Sequence, residues 1–184
     1  FFYDKYSDLV TRPETEYPGY YSDFISYENF GANEYKGAEI GLSLNKSFGD
    51  WSLFVAANFL YSNSVRTKVD EVYNNAYQYR KGHPADANFG LEAIGLFEDV
   101  ADIAKSPLQA FGAVQPGDIK YKDINGDGRI NSDDQVHLGY PTVPKITYGF
   151  GLSGGYKNFD ISCFFQGQDR VSFFIDPNAK RENP

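Results

Sequence analysis

Methionine is absent from the 184 residues, and cysteine, tryptophan and histidine are scarce, with one, one and two copies. A lone Cys163 excludes an internal disulfide and cysteine-based metal sites, and leaves the redox compartment open. The two histidines, His83 and His137, sit in no nucleophile or metal-ligand motif, and no Gly-x-Ser-x-Gly element exists. Adjacent carboxylates such as Asp133-Asp134 and Glu98-Asp99 rarely present both groups to one substrate, as a glycosidase requires. The chain is therefore expected not to be an enzyme. Lysine and arginine form no cluster, and the net charge of −8 is spread along the chain, which offers no footprint for phosphates and argues against nucleic acid. No signal peptide stands at the start, and no apolar run reaches the eighteen or so residues of a membrane helix. Strands that cross a bilayer leave a much weaker trace, so a membrane is not excluded.

What the chain has in abundance is aromatics and glycine, with 16 Phe, 15 Tyr and 18 Gly. That bias suits strands and turns. From Gly37 to Asn45, Ala38, Ile40, Leu42 and Leu44 alternate with Glu39, Gly41, Ser43 and Asn45. From Trp51 to Ser62, Trp51, Leu53, Val55, Ala57, Phe59 and Tyr61 alternate with Ser52, Phe54, Ala56, Asn58, Leu60 and Ser62. Only Lys46 to Asp50 separates the two, which predicts a hairpin over 37–62. A second hairpin is predicted over 145–166, with Ile146, Tyr148, Phe150 and Leu152 opposite Thr147, Gly149, Gly151 and Ser153, and a turn at Tyr156-Lys157-Asn158. Each long run approaches the nine to eleven residues that a tilted strand needs to span a bilayer. The apolar face is either the core of a soluble sandwich or the lipid face of an outer-membrane barrel whose polar face lines the lumen.

Loop lengths favour the barrel. Turns within pairs are short, whereas Asn63 to Pro144 connects the pairs without a convincing strand period, and Asp4 to Tyr35 is another long polar stretch. Short turns at one end and long extracellular loops at the other are the asymmetry of outer-membrane barrels, and a soluble domain rarely carries so long a connection. Within it, Glu98 to Lys105 is expected to form one short helix ended by Pro107, with Val100, Ala101, Ile103 and Ala104 inward.

Asp123 to Asp134 reads Asp-Ile-Asn-Gly-Asp-Gly-Arg-Ile-Asn-Ser-Asp-Asp, the spacing of an EF-hand-type calcium loop. Calcium prefers six to eight oxygens, so Asp123, Asn125, Asp127, the Arg129 carbonyl, Asn131 and Asp134 are the candidate metal ligands. Gly128 supplies the turn, and Ile130 points away to anchor the loop. Aspartate rather than glutamate at the twelfth position shortens the closing arm and resembles dockerin-type loops. Extended, turn-bounded flanks replace the amphipathic helices of a sensor, so a bound Ca2+ would be structural. The competing reading is an Asx/Gly turn without an ion.

Several blocks resemble the SusC/RagA group of TonB-linked outer-membrane transporters. They are Asn33-Glu34-Tyr35-Lys36-Gly37-Ala38-Glu39-Ile40, Gly95-Leu96-Phe97, and Pro116-Gly117-Asp118-Ile119-Lys120-Tyr121 running into the calcium-type loop. Gly139-Tyr140-Pro141-Thr142-Val143-Pro144-Lys145-Ile146-Thr147-Tyr148-Gly149-Phe150 and Phe159-Asp160-Ile161-Ser162-Cys163-Phe164-Phe165-Gln166-Gly167 continue the order. Ala32-Asn33-Glu34 departs from the glycine-centred turn of that pattern, and Pro84 to Gly90 lacks its usual glycines.

The resemblance implies an all-β fold, antiparallel strands of a transmembrane outer-membrane β-barrel of about twenty-two strands, of which this chain would be a fragment from the carboxy-terminal third. It implies a Gram-negative outer membrane, energy-dependent import of oligosaccharides or peptides, a SusD-like surface lipoprotein as partner, and the TonB complex acting through other parts of the parent. Tyr20, Tyr21, Tyr27, Tyr73, Tyr77 and Tyr79 would then lie on external loops, stacking on sugars, meeting the lipoprotein lid, or packing the loops together. The alternative is a secreted soluble β-rich carbohydrate-binding or adhesion module with a structural calcium.

Overall fold

The computed structural model describes residues 1–12, 24–173 and 175. Long strands dominate: β1 (Phe2–Thr11), β2 (Glu28–Phe48), β3 (Trp51–Lys68), β10 (Ile146–Tyr156) and β11 (Phe159–Asp169) form one sheet in the order β1-β2-β3-β10-β11. Shorter strands lie between β3 and β10: β4 (Asn88–Gly90), β5 (Ala93–Leu96), β6 (Leu108–Gln109), β7 (Ile119–Tyr121), β8 (Arg129–Ile130) and β9 (Val136–Leu138), with one helix, α1 (Val100–Lys105). The chain divides into two compact units, one of Phe1–Asp4, Tyr35–Ser64 and Tyr140–Pro184, the other of Lys5–Glu34 and Val65–Gly139.

In the first unit the alternating sequence becomes register. Two-residue turns close both hairpins, and such a connection permits only antiparallel pairing. Gly49 adopts φ +62°, open to glycine without strain, and Lys157 takes a left-handed φ of +51°. The Lys157 amide donates to the Asp50 carbonyl at 3.0 Å, tying one turn to the other. β10 pairs antiparallel with β3 from Ile146 opposite Tyr61 to Tyr156 opposite Trp51. It pairs antiparallel with β11 from Ile146 opposite Asp169 to Tyr156 opposite Phe159.

Residues opposite each other share a face. Trp51, Leu53, Val55, Ala57, Phe59 and Tyr61 therefore align with Ile146, Tyr148, Phe150, Leu152 and Tyr156, and with Phe159, Ile161, Cys163 and Phe165. Phe150 stacks on Phe165 at 4.8 Å, and Trp51 meets Tyr156 at 4.5 Å beside the turns. This apolar face is not covered: Leu42 is 68% exposed and Ile161 77%. The buried Ala32, Phe97 and Ile130 all lie outside this unit.

The second unit holds small pairings that the sequence does not suggest. β4 pairs antiparallel with β9, β5 antiparallel with β7 across a bulge at Ala93/Gly95, and β6 parallel with β8. The 63–144 stretch, which shows no convincing strand period in the sequence, holds the end of β3, which continues to Lys68, and six short strands after it. The polar stretch expected over 4–35 likewise contains most of β1 and the start of β2. α1 starts where Asp99 accepts the Asp102 amide at 2.7 Å and ends at Ser106, but Val100, Ala101 and Ala104 are exposed rather than inward. Asp102 reaches Lys120 Nζ at 2.7 Å instead, so an ion pair orients the helix.

Candidate functional site

Residues 123–134 fold as a loop whose own backbone amides satisfy its side-chain oxygens. Asp123 accepts from the Gly126 amide at 2.7 Å and the Gly128 amide at 2.8 Å, one to each carboxylate oxygen. Both glycines have positive φ, +76° and +81°, which bends the chain so that these amides point inward. Asn125 Oδ1 accepts the Asp127 amide at 3.0 Å while its Nδ2 donates to Asp127 Oδ2 at 3.1 Å. Asp127 Oδ1 accepts the Arg129 amide at 2.7 Å, and Asn131 Oδ1 the Asp133 amide at 2.6 Å.

Asp134 is the clamp. Its carboxylate is fully buried and accepts the Ile124 amide at 2.8 Å, the Asn131 amide at 2.9 Å and, more weakly, the Asn125 amide at 3.5 Å. A buried carboxylate tolerates its charge when several N–H dipoles converge on it. Ile130, also fully buried, anchors the loop as expected, with β8 held beside β6 by the Ala110 amide donating to the Ile130 carbonyl. The carboxylates therefore lean on amides rather than on one another, and among the described residues no group of three or more His, Cys, Asp or Glu side chains is placed to hold a metal ion.

The loop is hooked to the segment after β3 by two residues. Tyr77 donates its hydroxyl to the Asp133 carbonyl at 2.7 Å, and buried Gln78 donates from Nε2 to the Ser132 carbonyl at 3.2 Å. Burial, followed by the charges of Asp134, Asp133, Asp123 and Asp127, raises the Tyr77 phenol above its ordinary value. Tyr73 and Tyr79 pair edge to face at 5.6 Å, and the Tyr79 hydroxyl donates to the Tyr73 carbonyl at 3.3 Å. These three tyrosines pack the segment, whereas Tyr27 is exposed; Tyr20 and Tyr21 lie outside the described residues. No local signal in the sequence assigns Tyr77 or Gln78 this role, since their partners are more than fifty residues away.

No family model matches the chain. It is 29% identical over 172 residues to TonB-dependent receptor P3 of Formosa agariphila, covering 86% of this chain. It is 31% identical over 182 residues to TonB-dependent receptor P26 of the same organism, covering 91% of this chain. The chain spans 17% and 18% of the lengths of these relatives. Its fold matches the RagAB peptide importer in the closed-closed state with a TM-score of 0.61 and in the open-open state with 0.64. Both matches are 18% identical and cover 92% of this chain and 18% of the other. The antiparallel fold and the relatives define a segment of a TonB-dependent receptor barrel. Within that class its fold is like that of the RagAB importer.

Proposed function

We propose that this chain is part of the wall of an outer-membrane barrel whose parent imports oligosaccharides or peptides in a TonB-dependent manner, with a SusD-like lipoprotein on the external side. The observation that carries the reading is the uncovered apolar face of β2, β3, β10 and β11. In a soluble sandwich one face must be buried, and here Leu42, Phe159 and Ile161 stand open with no apolar layer described against them. Lipid is the solvent that suits such a face, with the polar face toward the lumen. The aromatic cluster of Trp51, Tyr156 and Phe159 at the turns suits a membrane interface. Neighbours named as importers support transport as the activity. Uptake by cells carrying the full-length parent is expected to cease when TonB is deleted and to fall when the accompanying lipoprotein is deleted. Uptake unaffected by loss of TonB would overturn the reading.

We also propose that the 123–134 loop takes a structural Ca2+. Its donors are all oxygen, from Asp123, Asn125, Asp127, the Arg129 carbonyl, Asn131 and Asp134, which suits a hard cation. The amide bonds leave lone pairs on these oxygens, so an ion would add to the existing bonds. Calorimetric titration of chelator-stripped full-length protein should show calcium binding that is lost in Asp127→Ala. Absence of binding in the unmodified protein would leave an Asx/Gly turn.

A further inference from the structure

The chain contains one Asn-Gly pair, Asn125-Gly126, and one Asp-Gly pair, Asp127-Gly128, and the two stand in succession in the same loop. Each carries a latent backbone reaction. A glycine nitrogen, with no side chain of its own to crowd the approach, can attack the side-chain carbonyl carbon of the Asn or Asp before it and close a five-membered succinimide. Asn125, Gly126, Asp127 and Gly128 are all exposed, so water reaches the ring that would form. In the folded loop both attacking nitrogens are occupied. The Gly126 amide donates to one carboxylate oxygen of Asp123 at 2.7 Å, and the Gly128 amide donates to the other at 2.8 Å. The side chains under attack are held forward as well. Asn125 Oδ1 accepts the Asp127 amide at 3.0 Å, Asp127 Oδ1 accepts the Arg129 amide at 2.7 Å, and Asn125 Nδ2 donates to Asp127 Oδ2 at 3.1 Å.

We propose that Asn125 and Asp127 are modification sites, converted through succinimides to aspartate and isoaspartate when the loop opens, and that Asp123 holds both reactions off while it is closed. At Asn125 the bond from the Gly126 nitrogen to Cγ forms as the Cγ–Nδ2 bond breaks, and Nδ2 leaves as ammonia with the amide proton. At Asp127, once its carboxyl is protonated, the Gly128 nitrogen bonds to Cγ, and the carboxyl hydroxyl leaves as water with the amide proton. Water then opens either ring at one of its two carbonyls, and one of the two openings routes the backbone through the side chain and lengthens it by a methylene. Both attacks require the glycine nitrogen to give up its proton. A short bond to a carboxylate keeps that proton in place, and one residue supplies this bond to both nitrogens. Conversion therefore proceeds from the open loop, at a rate set by how often the loop opens. It also runs one way: a carboxylate at 125 in place of the amide loses the donor to Asp127 Oδ2, and a lengthened backbone shifts Asp123 relative to Asp134. The shield is made of the loop's own bonds and needs no ion.

The test incubates the full-length protein in chelator-containing buffer, at neutral pH and physiological temperature, beside an end-capped synthetic peptide of residues 120–131. Peptide mapping by mass spectrometry follows the mass gain at Asn125 and isoaspartate-specific fragments at Asp127. The folded protein is expected to convert at least about tenfold more slowly than the peptide at both positions. Asp123→Ala should bring both close to the rate in the peptide. Asp123→Asn, which keeps the shape but only one acceptor oxygen, should accelerate at least one of them, with circular dichroism verifying the strands of each variant. Equal rates in wild-type protein and peptide would overturn the proposal. So would an Asp123→Ala protein that keeps its strands and converts no faster than wild type; where that variant loses its strands, the same comparison with Asp123→Asn decides.

Discussion

Asp134→Ala is the sharpest perturbation of the loop. Its carboxylate is fully buried and receives two well-formed amide bonds, from Ile124 at 2.8 Å and Asn131 at 2.9 Å. Removing the acceptor leaves two donors in a site that was closed to water, at roughly 1 to 3 kcal/mol each. The alanine cavity admits some water, so a loss of about 3 kcal/mol in local stability is expected. That corresponds to about a hundredfold faster exchange of the Ile124 and Asn131 amides, measured by hydrogen exchange with mass spectrometry on the full-length protein. Asp127→Ala removes two exposed bonds, from the Arg129 amide and from Asn125 Nδ2, whose donors water can reach, and should cost under about 1 kcal/mol. Equal exchange in Asp134→Ala and the unmodified protein would refute the clamp, and equal effects of the two substitutions would refute the assignment of its strength to burial.

Gly37→Ala should destabilise the sheet by about 1 to 3 kcal/mol or more, because a Cβ there would sit 2.1 Å from the Tyr61 carbonyl oxygen and 2.5 Å from the Phe2 ring. A shifted denaturant midpoint in bilayer refolding measures it, and an unchanged midpoint contradicts the close approach. Tyr77 is raised in the folded state, so its contribution is complete below the unfolded phenol value and fades as pH rises through the higher folded value. Exchange near Ser132 and Asp133 should therefore accelerate above about pH 10, and Tyr77→Phe should show the faster exchange already at neutral pH and without that alkaline step.

How much of this was legible follows from length and range. The hairpins around Gly49 and Lys157 were readable because period-two alternation ran for many residues on both sides of a short turn. β1 escaped because Phe2–Thr11 mixes tyrosine, aspartate and lysine and is open on both faces over most of its length. The extended flanks of the 123–134 loop pointed to β7 and β9, but the pairings between 88 and 138 escaped for another reason: strands of two to four residues do not specify their partners, which lie far along the chain. α1 was readable from Asp99 and Pro107, but its inner side was not, because Lys120, a distant residue, decides which face turns in. In the 123–134 loop the residues and their spacing were visible, while the share of each oxygen taken by backbone amides required coordinates.

The central claim, that the apolar face meets lipid and the opposite face does not, is tested most directly by arginine at Val55 and at Asn58, three residues apart on opposite faces of β3. In a bilayer refolding titration of the full-length protein, Val55→Arg is expected to cost about 2 to 4 kcal/mol and Asn58→Arg clearly less. Equal costs at the two positions, or a greater cost at Asn58, would contradict the account.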